Sequence, residues 1–150
     1  MTCLAGAAAL WAWALWPRGP GSAPALPEGL AGRYEFVRLV PGPDAAPGAG
    51  AGSLSGEGRF ELRADGTYRR TVLSGGREIA RMEGRLAADG DALTFTQVSE
   101  NRTLRREPPQ VYRVSWKTDP EGRLLVLRHD GDGHEILLRP LPADEVSSAR

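Results

Sequence analysis

The sequence predicts an all-β domain, an eight-stranded antiparallel up-and-down β-barrel preceded by an N-terminal apolar leader helix. Apolar and polar residues alternate with a period of two through much of the chain after residue 30, the mark of strands with one buried face. Turn-forming clusters recur between these runs, at Ala64-Asp65-Gly66, Ser74-Gly75-Gly76, Asp89-Gly90, Asp119-Pro120-Glu121-Gly122 and Asp130-Gly131-Asp132-Gly133. The hairpins follow one another without the long crossovers that Greek-key topologies need, which makes a two-sheet sandwich the second choice. A sheet of this size avoids exposed edges best by closing on itself.

A chain of 150 residues holds one domain with a single core. We divide it into a leader and linker, residues 1–25, and a barrel domain, residues 26–150. Nineteen basic and 19 acidic residues balance, so no global field favours nucleic acid or an acidic membrane surface. The apolar run Leu4 to Trp16, broken by Pro17 and Gly19, falls short of the roughly 20 residues that span a bilayer. With Ala23-Pro24-Ala25 behind it, the run matches a secretory signal or membrane tether. Export to the periplasm, the medium or a membrane surface is therefore expected, with membrane contact only through the leader. Cys3 precedes the apolar run, where a lipidated cysteine would follow it, and leaves the folded part without disulfide or thiol chemistry.

In chain order, Pro20 to Glu28 reads as a linker, and Gly32 to Val40 as the first strand, with Tyr34 and Phe36 on one face. Pro41 to Gly56 is almost entirely Pro, Gly, Ala and Ser, which reads as a long loop. Phe60 and Leu62 then alternate with Arg59, Glu61 and Arg63 before Ala64-Asp65-Gly66 reverses the chain. A glycine-closed three-residue loop sets Leu62 opposite Tyr68 and Phe60 opposite Arg70, placing Tyr68, Arg70 and Val72 on the buried face. The fourth strand runs from Glu78 to Leu86, and a two-residue turn at Asp89-Gly90 registers Leu86 opposite Leu93. Leu93 and Phe95 point inward from the fifth strand, Ala92 to Ser99. Glu100 to Pro109 reads as a loop. The sixth strand, Gln110 to Lys117, puts Tyr112, Val114 and Trp116 on one face. Arg123 to His129 is the seventh strand, apolar on both faces from Leu124 to Leu127, and His134 to Arg139 is the eighth.

These strands and turns, over residues 30 to 140, resemble the lipocalin-like small barrels of the calycin group in their short bacterial form. Leu30-Ala31-Gly32-Arg33-Tyr34 is similar to the opening Gly-x-Trp of that group, with Tyr34 in the Trp place, and Asp-Gly-Thr-Tyr at residues 65–68 is similar to a turn common in it. The resemblance implies an arginine from the last strand over that aromatic, at Arg139, and a large first loop overhanging the mouth, at 41–56. The resemblance speaks to the fold and carries no activity over to this chain.

Tyr34, Phe36, Phe60, Tyr68, Phe95, Tyr112 and Trp116 are the candidate lining of a ligand cavity. Eight strands make a barrel just wide enough to be filled by side chains or to hold one small ligand. Arg70 is the candidate polar end, since an arginine on an inward face must pair, hold an anion, or reach water at the rim, with Glu78 the candidate partner. His129-Asp130-Gly131-Asp132-Gly133-His134 places imidazoles and carboxylates around a turn, but both aspartates are also turn formers, so the run reads as a plain hairpin with no metal. Arg102, Arg105 and Arg106 read as a solvated basic loop. No spaced nucleophile–histidine pair, phosphate loop or helix-borne metal motif is present in the sequence, so no catalytic residue, no enzyme activity and no cofactor is expected. The expected function is binding of a small hydrophobic or amphipathic ligand by an exported barrel. The alternative is a solid-core barrel acting as an envelope interaction or inhibitor module.

Overall fold

The computed structural model describes residues 26–44 and 57–143. The leader, most of the expected loop 41–56, and the tail beyond residue 143 lie outside the described residues. Nine strands are described, β1 (Gly32–Val40), β2 (Gly58–Leu62), β3 (Thr67–Ser74), β4 (Arg77–Asp89), β5 (Ala92–Glu100), β6 (Thr103–Leu104), β7 (Gln110–Asp119), β8 (Gly122–His129) and β9 (Glu135–Pro140). They form one antiparallel sheet in the order β4-β3-β2-β1-β9-β8-β7-β5-β6, and a further pairing of β4 with β5 closes it into a ring.

The β2–β3 hairpin follows from its sequence. Phe60 pairs with Arg70 and Leu62 with Tyr68. Gly66 takes φ +78°, and the Asp65 carboxylate accepts hydrogen bonds from the Thr67 amide at 3.0 Å and its hydroxyl at 2.7 Å, a local clamp that fixes the reversal. The β4–β5 turn falls one residue later than expected, with Asp89 opposite Ala92 and Leu86 opposite Phe95 rather than Leu93. Gly90, at φ +60°, takes the first central position of a two-residue turn, where a type II′ turn wants glycine. The slip moves partners by two residues, so parity survives and Leu86, Leu93 and Phe95 still face the core.

The strand count needs a second correction. Part of the expected loop 100–109 returns as β6, pairing Ser99 with Leu104 and Glu100 with Thr103. Its turn residues, Asn101 and Arg102, both take positive φ, 51° and 66°, a conformation unfavourable for an arginine. Asn101 is held in place by β4, accepting from the Arg81 amide at 2.9 Å and donating its own amide to the Arg81 carbonyl at 2.7 Å.

Where alternation left β8 undecided, the structure settles its phase. Leu125 and Leu127, with Ile136 and Leu138 of β9, join the main core. The intervening Leu124, Val126 and Leu137 form a second cluster with Val37 and Val40 on the other face. Leu125 and Leu138 are completely buried, and each leucine removed from water in this way contributes about 1.5–3 kcal/mol. Leu26 and Leu30, ahead of β1, are buried in the same core, and the Tyr34 hydroxyl donates to the Leu30 carbonyl at 2.8 Å.

Candidate functional site

Strands β3, β5 and β7 each present an aromatic residue to the core, and the rings meet edge to face. Tyr68 and Phe95 have centroids 5.1 Å apart at 73°, and Phe95 and Tyr112 are 5.4 Å apart at 81°. Such geometry lets the positive edge of one ring meet the negative face of the next. The series continues past Tyr112 to two imidazoles, His129 at 5.1 Å and His134 at 5.7 Å. Register explains the first of these contacts, because Tyr112 lies directly opposite His129 across the β7–β8 pair.

Arg70 stands beside this series. Its guanidinium lies 5.5 Å from the centroid of the Phe60 ring. Burial pushes it below its ordinary value, while nearby Tyr112 and Tyr68 act in the opposite direction. No carboxylate takes part in that balance among the described residues. Glu78, its expected partner, is instead 2.8 Å from Arg81 on the same strand. Arg70 is therefore a half-buried cation with aromatic neighbours and, among the described residues, no acid to neutralise it. Burial raises Tyr68 and carries Tyr112 up to about 12, and the Tyr112 hydroxyl donates to Gln110 at 3.1 Å.

The sequence-derived lining divides accordingly. Phe60, Tyr68, Arg70, Phe95 and Tyr112 come together. Tyr34 is occupied by its bond to Leu30 within the core, and Phe36 packs half-buried against it. Trp116 also packs on the core and carries the Arg123 guanidinium 3.9 Å from its ring centroid. Arg139 is not the arginine over an aromatic ring: its neighbours are Asp119 at 3.0 Å, Glu121 at 2.8 Å and Glu35 at 3.6 Å.

A groove of about 580 Å³ opens beside Tyr68, where β5 bulges at Val98 opposite Glu83 and Gly84, and Gln97, Val98 and Arg106 complete its wall. A Cβ on Gly84 would come within 2.7 Å of the Tyr68 ring, so glycine is what lets this ring pack so close to β4. The basic loop beside the groove is partly neutralised, since Arg105 pairs with Glu100 and with Glu107.

The histidine turn is more ordered than a plain hairpin requires. Nδ1 of His129 and Nδ1 of His134 both converge on Oδ1 of Asp132, at 2.8 and 2.6 Å, and the two rings stack 4.8 Å apart at 21°. Burial would by itself raise the Asp132 carboxyl, but the His134 amide and both imidazoles bring it down to about 2. Asp130 stays out of the group and reaches Arg113 at 3.4 Å. Composition alone could not link these histidines to the aromatic series. The signal that could have done so is the register Tyr112–His129, once the β7–β8 turn is placed at Pro120-Glu121.

No protein-family model matches the chain, and no significant match exists among curated proteins or solved structures.

Proposed function

We propose that this chain is an exported, lipocalin-like barrel that binds a small amphipathic molecule with an anionic head. The head is held by Arg70, and the apolar body lies along Phe60, Tyr68, Phe95 and Tyr112. The observation that carries this reading is the state of Arg70, an unneutralised guanidinium among aromatic rings. A buried cation without a counter-charge is costly. A carboxylate or similar anion gripped by the planar fork removes that cost through charge-assisted hydrogen bonds. The aromatic series supplies apolar contact of the kind that lines small-molecule sites. The reading assigns binding and no catalytic step.

Native mass spectrometry of the untagged full chain, followed by titration with decanoate, tests it. A co-purified or added amphiphile at one per chain is expected, and Arg70→Met should weaken decanoate binding by roughly 10- to 100-fold, the worth of hydrogen bonds to a charged group. An apo mass that neither lipid extract nor decanoate shifts would leave the solid-core interaction module as the better reading. Cell fractionation of the full chain tests export separately, with recovery in the cytoplasm as the contrary result.

A further inference from the structure

We propose that His129, Asp132 and His134 form a binding site for one divalent transition-metal ion, with zinc favoured by the donor set. Each residue offers one ligand atom, one ring nitrogen from each histidine and one carboxylate oxygen, and the three all lie within 4.8 Å of one another. Two imidazole nitrogens and one carboxylate oxygen suit zinc and its first-row neighbours rather than calcium or magnesium, which take oxygen shells. Three protein ligands leave a fourth position open to water or to a ligand atom.

The backbone builds this convergence. The His129 amide donates to the His134 carbonyl at 2.8 Å and the Gly133 amide to the His129 carbonyl at 3.1 Å, closing the turn. Gly133 takes φ +71°. Gly131 leaves room for the His129 ring, whose Cε1 a Cβ there would approach to 2.9 Å. Both histidines are half-buried and rest on Tyr112, so the rings are held before any ion arrives.

The two contacts at His129 Nδ1 compete for one site on that nitrogen. The Asp132 amide donates to His129 Nδ1 at 3.3 Å, which needs a lone pair on that nitrogen, yet the nitrogen also lies 2.8 Å from Asp132 Oδ1, another lone-pair atom. One imidazole nitrogen cannot donate and accept at once. A cation bound by the nitrogen lone pair and the carboxylate oxygen replaces the 2.8 Å contact, and the Asp132 amide then gives up its longer contact to the nitrogen. In a tetrahedral zinc site with bonds of about 2 Å, donors stand about 3.3 Å apart, so the Asp132 oxygen has to retreat by roughly half an ångström. Its side chain is 57% exposed on a turn and free to do so.

The site stands apart from the anion-binding reading, since Arg70 contributes no ligand atom. The chain has only two histidines, and both belong to the site, so any histidine signal reports on it. The test is titration of the chelator-treated, untagged full chain with zinc, followed by calorimetry and by the two histidine Cε1–H resonances. One zinc per chain is expected, shifting both resonances together. Asp132→Asn and His134→Ala should each weaken zinc by at least about 10-fold, the lower limit seen even for an outer-shell partner. Asp130→Asn and Arg70→Met should leave zinc binding unchanged. Absence of saturable binding, or zinc uptake that leaves both resonances in place, overturns the site. So does affinity that survives both Asp132→Asn and His134→Ala. Unfolding midpoints of the variants, matched to the parent, separate ligand loss from misfolding.

Discussion

Along β8 and β9 the ring turns Leu125, Leu127, Ile136 and Leu138 inward, none more than 4% exposed. Along β3, β5 and β7 it turns Tyr68, Arg70, Phe95 and Tyr112 to the same interior. Backbone pairing is alike in both arcs, antiparallel throughout, so the difference lies in the side chains. The leucine arc has no polar atom to satisfy, and its worth is burial and close packing. The aromatic arc holds a charge with no counter-charge among the described residues, which a chain optimised for stability alone would replace. The leucine arc serves stability, and the aromatic arc carries the group on which the proposed anion binding rests.

The comparison is broken most forcefully in the leucine arc. Leu125→Ala should cost about 2–5 kcal/mol in denaturant unfolding, because the cavity it leaves adds to the lost transfer energy. A cost well under 1 kcal/mol would show that this arc is not tightly packed. Next comes Gly84→Ala, at the bulge behind Tyr68. The added methyl meets the Tyr68 ring at 2.7 Å and the Thr96 carbonyl closer still, and about 1–3 kcal/mol of overpacking is expected.

Arg70→Met sharpens the contrast because its sign is opposite. Removing a half-buried, unneutralised guanidinium should raise the unfolding free energy by about 1 kcal/mol while lowering amphiphile affinity. A variant that lost stability would mean that Arg70 is a structural residue.

The smallest effect is alkaline. Burial raises Tyr34 and Tyr68 above their ordinary 10.0. The folded chain therefore holds these phenolic protons more tightly than the unfolded chain. That contribution is full below about pH 10 and is lost as pH rises through the folded values. Absorbance titration of the phenolates should show both ionising later in the folded protein than in urea. Tyr34→Phe should remove part of the pH dependence, along with about 1 kcal/mol for the bond to Leu30.

The legible part of the fold was local. Phe60–Arg70 and Leu62–Tyr68 could be registered from alternation and one glycine, since a three-residue loop admits few geometries. The β6 return was hidden because Asn101-Arg102 owes its positive φ to a clamp from Arg81, 20 residues earlier. Of the candidate lining, Phe60, Tyr68, Arg70, Phe95 and Tyr112 come together, whereas Tyr34 bonds to the Leu30 carbonyl and Trp116 lies against Arg123. Arg139 was misplaced because three acids, from β1 and from the β7–β8 turn, claim it.

Strand period, the Ala64-Asp65-Gly66 reversal and the inward direction of Arg70 were determined by the sequence alone, because each depends on neighbours within a few residues. Which arginine stays unpaired, which aromatics touch and how two histidines meet one aspartate were decided only by the tertiary structure. Charges and rings choose their partners by distance in space, and closing the ring sets those distances.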